Sequence, residues 1–104
     1  MMRGPCVEAA LGRALVAAAA QAGTVIEIAR SDSTDWHSAT FSGTRHALDI
    51  ATTADEAAGA WLATLGNLDV PLPGHLLADL SVTQSSAQNG RCRARIEALT
   101  VASA

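Results

Sequence analysis

At 104 residues, with 49% hydrophobic and 16% charged side chains, the chain is apolar enough to close one core, too short for two, and not of disordered composition. A net charge of −3 gives no bulk attraction to nucleic acid or anionic lipid, and no charge-free apolar run is long enough to predict a membrane-spanning helix. All 7 basic residues are Arg and Tyr is absent, which excludes a Schiff-base lysine, a phosphate-loop lysine and a tyrosine general acid as intrinsic chemistry.

The first predicted element is a helix. Pro5 suits its opening turn, Val7, Leu11 and Leu15 form one apolar stripe beside Ala14, Ala18 and Ala22, and Gly23 supplies the left-handed stop. Glu8 and Arg13 interrupt this stretch, so it reads as an ordinary helix of a cytoplasmic protein rather than a secretion signal. A strand follows over 24–30, with Ile26 and Ile28 on one side, and 31–34 reads as a polar turn.

Strands are expected over 35–42 and 44–52, joined at Gly43-Thr44. That register sets Phe41 across from His46, Ala39 across from Leu48 and His37 across from Ile50, with Arg45 and Asp49 on the other side. Thr53-Ala54-Asp55-Glu56 reads as a capping box for a second helix that buries Ala58, Trp61, Leu62 and Leu65. A proline-containing loop leads to a strand over 75–83 with Leu76, Ala78, Leu80 and Val82 inward. Asn89-Gly90 is a turn signal, and the last strand, 91–101, turns Cys92, Ala94, Ile96 and Ala98 inward and Arg91, Arg93 and Arg95 outward.

The expectation is a single α+β domain over 1–104. Its order is helix–three strands–helix–two strands, in an antiparallel-dominated five-stranded sheet with two helices on one face. The element order resembles that of double-stranded-RNA-binding domains, but the lysine-rich start of their second helix is missing and no function follows from the likeness.

Five groups of residues could carry chemistry. Asp32, Asp35 and His37 are metal-ligating and acid–base types, but their spacing matches no metal motif and equally makes a solvated turn. His37 and His46 share a face but stand roughly 13 Å apart at the strand rise, too far to hold one ion together. Ser31, Ser33, Ser38 and Ser42 surround these histidines without a nucleophile elbow. Arg91, Arg93 and Arg95 form a comb for an anion or nucleic acid, or a solvated face paired with acids such as Asp79. Cys6 and Cys92 read as two reduced thiols, Cys92 as a small core residue.

No enzyme motif, cofactor or metal site emerges. The leading expectation is therefore a non-catalytic interaction module that forms a homodimer through the sheet face opposite the helices, where Val25, Ala29, Thr40, Ala47, Ala51 and Leu77 lie among charges. The alternatives are a small-molecule binder or small enzyme at Asp35, His37 and His46, and an anion or nucleic-acid binder at the arginine comb.

Overall fold

The computed structural model describes residues 7–68, 70 and 72–102. Pro5, expected to open the first helix, and Cys6, expected to be a reduced thiol, lie outside the described residues. Helix α1 runs Val7–Gln21, β1 Ile26–His37, β2 Ser42–Thr53, α2 Glu56–Thr64, β3 His75–Gln88 and β4 Arg91–Ala102, with a 3-10 turn at Leu65–Asn67. The class is α+β, as expected. Among the described residues, however, the sheet has four antiparallel strands in the order β1-β2-β4-β3, not five.

The missing strand has a clear cause. The sequence pattern divides 24–30 from 35–42 at a polar turn. The chain instead runs on as β1, crossing the irregularity between Ile28 and Arg30 without turning. A bulge absorbs one residue and lets the ladder continue. The turn comes later, at 38–41, where Ser38 N–H donates to the Phe41 carbonyl (2.8 Å) and Phe41 N–H donates to Ser38 Oγ (3.0 Å). This shifts the hairpin register: Ser33, not Phe41, stands across from His46, Ser31 across from Leu48 and Ile28 across from Ile50. Phe41 is 58% exposed, whereas His46, Leu48 and Ile50 are buried as expected and Arg45 faces away.

Helix α1 ends as its glycine predicts. Thr24 N–H reaches the Ala19 carbonyl (2.9 Å) and Gly23 N–H that of Ala20 (3.1 Å), with Gly23 at φ +88°. This is the 6→1, 5→2 closure that a left-handed residue permits. Gly12 lets the helix lie close to the sheet: a Cβ there would meet Ile28 Cδ1 at 3.1 Å.

The cap of α2 is Asp55, not Thr53. Asp55 Oδ1 accepts from Ala58 N–H at 2.8 Å. Thr53 is not free to cap because β2 extends through it to pair with Arg91, and Ala54 N–H is bonded to the Gly90 carbonyl (2.9 Å). Ala58, Trp61 and Leu65 are buried, in accord with the helical pattern.

The Asn89-Gly90 turn forms with both residues at positive φ, 56° and 76°. This is the combination a two-residue hairpin turn of the primed type needs. β4 alternates as its sequence pattern predicts: Ala94, Ile96 and Ala98 are buried and Arg91 and Arg93 exposed, with Cys92 half-buried on the inner side. In β3, irregularities at Leu77/Asp79 and Val82/Gln84 break the alternation. Leu77 packs on the core, while Leu76, expected inward, is 63% exposed on the other face.

Leu11 and Leu15 of α1, Trp61 of α2, and Leu48, Ile50, Leu80 and Ile96 of the sheet belong to one core. Both helices therefore cover the same face and leave the other open. No helix among the described residues is long and apolar enough to cross a membrane.

Candidate interaction surface

The open face can be laid out from the register alone. Every second residue of β2 and β4 points to it, and cross-strand pairing aligns these residues into rows spanning four strands. From one end, the rows are Trp36–Gly43–Val101–Leu76, Thr34–Arg45–Leu99–Asp79, Asp32–Ala47–Glu97–Ser81, Arg30–Asp49–Arg95–Gln84 and Glu27–Ala51–Arg93–Ser86. One end is apolar and the other is rich in arginine.

At the arginine end most of the charge is matched within the chain. Arg95 Nη1 lies 3.1 Å from Asp49 Oδ1 in its own row, and its Nε 3.8 Å from Glu97 Oε2. Arg91 Nη2 reaches Glu27 Oε1 at 3.0 Å, and Arg30 Nε reaches Asp32 Oδ2 at 2.9 Å. The acids come from β1, β2 and β4 itself; the expected partner of the comb, Asp79, lies two rows away from Arg95. Arg93 makes no ion pair among the described residues. It borders a shallow depression of about 530 Å³ with Arg30, Arg95, Asp49 and Ser86. The comb is thus on the face foreseen for it, but it is largely occupied by carboxylates.

At the apolar end, Trp36 lies over Gly43. A Cβ on Gly43 would sit 2.7 Å from Trp36 Nε1 and would also collide with the Thr100 carbonyl oxygen. Glycine here is a matter of space: the indole lies down on the sheet because no side chain stands beneath it. Beside it are half-buried Val101 and Leu99 and exposed Leu76, with Phe41 in the adjoining turn.

Asp35, His37 and His46 all fall on the inner side of the hairpin, but they are not assembled into one site. Asp35 pairs with Thr44 and His37 with Ser42, both near the end of the hairpin and exposed, and Asp32 faces the opposite side. His37 stands four positions along β1 from Ser33, the neighbour of His46, so the two imidazoles remain roughly 13 Å apart along the strand. His46 is 2% exposed. Its Nε2 lies 3.0 Å from Thr100 Oγ1, and that hydroxyl donates to the Thr44 carbonyl at 3.5 Å. The Nδ1 of His46 is buried and has no hydrogen-bond partner among the described residues. Burial lowers the His46 pKa below its ordinary 6.5; nearby Glu8 opposes the shift and His75 adds to it. A neutral, hydrogen-bonded histidine of this kind is a core residue. A groove of about 660 Å³ runs beside α1, bordered by Gly12, Val16, Ile28 and Leu48, and neither it nor the open-face depression is lined by Asp35, His37 or His46.

Sequence reasoning missed Trp36, Leu76, Leu99 and Val101 as neighbours. The available signal was Trp36, a lone large aromatic in the polar run from Arg30 to Ser38.

No family model matches the chain, and no curated protein matches it. Among solved structures it is similar to a chain of the "virion of native gene transfer agent (GTA) particle", with a TM-score of 0.60 and 19% identity over 95% of this chain and 97% of that one. The likeness is one of fold, and it runs nearly end to end in both chains.

Proposed function

We propose that the protein is a non-catalytic structural subunit that works by associating with further subunits in a virion-like particle. The observation that carries this reading is the nearly end-to-end fold likeness to a chain of a gene transfer agent virion, with a TM-score of 0.60. The surface is consistent with it. Among the described residues, nothing covers one face of the sheet, and much of that face is a lattice of matched charges around a shallow depression. The candidate acid–base residues are dispersed, which favours an assembly role over a reaction.

The direct test is to tag the chain at its own locus in the cell that encodes it and fractionate the lysate on a density gradient. Co-sedimentation with nuclease-resistant, DNA-containing particles is the expected result, with loss of intact particles when the gene is deleted. If the protein stays in the low-mass fractions while particles form normally without it, the reading fails.

A further inference from the structure

We propose that the apolar end of the open sheet face docks a second copy of this chain, about a two-fold axis lying in the face and running along β4. The proposal deepens the assembly reading and rests on it.

Two adjacent rows form this end of the face, Trp36–Gly43–Val101–Leu76 and Thr34–Arg45–Leu99–Asp79. Arg45 and Asp79 are both exposed, and neither makes an ion pair among the described residues, in contrast to the acids and most of the arginines further down the face. They flank Leu99 on the neighbouring strands β2 and β3, one strand to either side, so roughly 10 Å separates their backbones. A two-fold along β4 exchanges left and right and turns one face onto the other. It sets Arg45 of each copy over Asp79 of the other, and Leu99 and Val101 over their own counterparts. Two unmatched opposite charges become two matched pairs around an apolar strip, at the roughly 10 Å separation of packed sheets. The pattern is self-complementary, which an isologous contact requires.

Trp36 and Gly43 make this end flat enough to be covered. With the indole packed against the glycine, the row sets half-buried Trp36 and Val101 beside Leu76, which is 63% exposed. Trp is a residue type on which interface energy concentrates. The contact ends one row further on, where the operator would bring Glu97 toward its own copy. Arg95 lies 3.8 Å from Glu97, and the depression begins just beyond it at Arg95, where the facing sheets would no longer touch. Two rows are a small patch beside the ~800 Å² per partner of a standard interface, so the isolated pair is weak and is reinforced by multiplicity in an assembly.

Charge exchange on the purified full chain tests this, read by sedimentation equilibrium up to about 1 mM, the range of weak pairing. Circular dichroism checks the fold of each variant. The wild type is expected to dimerise. Arg45→Asp and Asp79→Arg should each weaken the dimer by about tenfold or more, because like charges then face each other twice. The double variant Arg45→Asp/Asp79→Arg should recover the wild-type constant, which no general loss of folding could produce. Leu99→Arg should abolish pairing. A wild type that remains monomeric overturns the proposal, as do single variants that dimerise normally or a double variant that fails to recover. If the wild type is monomeric but still enters particles on the gradient, the second copy is the wrong occupant and the assembly reading survives. If it dimerises as described and never enters particles, the assembly reading fails instead.

Discussion

The two faces of one sheet differ in cover and in composition. On β2, His46, Leu48 and Ile50 are buried under the helices, while Arg45, Ala47 and Asp49, their immediate neighbours in sequence, lie on a face that nothing among the described residues covers. The inner face is continuous and largely apolar, with His46 hydrogen-bonded within it. The outer face grades from an apolar end to a charged one over five rows. An antiparallel sheet is stabilised by packing one face on the core and can leave the other solvated. Stability should therefore be sensitive to changes on one side of each strand and nearly indifferent to changes on the other.

The largest contrast should come from two large apolar side chains. Trp61 is 3% exposed in the core and Leu76 is 63% exposed on the open face. Trp61→Ala should cost about 3–5 kcal/mol, the usual range for a deleted core aromatic. Leu76→Ala should stay within about 0.5 kcal/mol, as surface changes do. Urea unfolding of both variants, followed by circular dichroism, measures the pair. Equal losses would mean that the open face contributes to the fold of the isolated chain.

A smaller effect separates the two residues that compete to begin α2. Asp55→Ala should lose about 1 kcal/mol with its bond to Ala58 N–H, whereas Thr53→Ala removes no cap. Thermal melts of the two variants decide it, and the reverse ranking would return the cap to Thr53.

This competition illustrates what could be read from the sequence. Local signals were legible: Gly23, the Asn89-Gly90 turn, the alternation of β4 and the buried stripe of α2 all lie where their own residues direct them. Features decided by neighbours were not. Thr53 has the chemistry of a cap, but pairing with Arg91 keeps it in the sheet. β1 is polar from Arg30 onward because it is an edge strand whose later residues are mostly exposed, so it carries no alternating pattern. The irregularity near Ala78 turns Leu76 outward and Leu77 inward, the reverse of what simple alternation assigns to the two. The apolar end of the open face is invisible without that reversal.

The inner face also carries a pH dependence, through His46. Burial depresses the folded-state pKa of His46 below its unfolded value near 6.5. At higher pH the imidazole is neutral in both states and the stability is complete. As pH falls below the unfolded value, the unfolded chain takes up a proton that the folded chain resists, so stability declines until the folded pKa is also passed. Unfolding midpoints of the wild type should therefore drop as pH is lowered from neutrality, and His46→Gln should flatten that slope. A slope identical in the variant would assign the acid sensitivity to other groups.

The smallest effect belongs to the lattice of charges on the open face. Arg95 and Asp49 are the best-enclosed of its pairs, yet their side chains remain 38% and 41% exposed at a separation of 3.1 Å. Solvent and salt screen an ion pair of that kind, and ordering two side chains offsets much of the attraction. Asp49→Asn should cost only ~0.2–0.5 kcal/mol in low salt, and less as salt is added. A salt titration of the unfolding midpoint in both proteins measures the difference. A loss above about 2 kcal/mol would be of the size expected for a buried pair and would place this face among the determinants of the fold. With a loss in the small range, the charges do not hold the sheet together. Arg30, Arg91 and Arg95 each lie beside a carboxylate on that face, whereas Arg45 and Asp79, toward its apolar end, make no ion pair among the described residues.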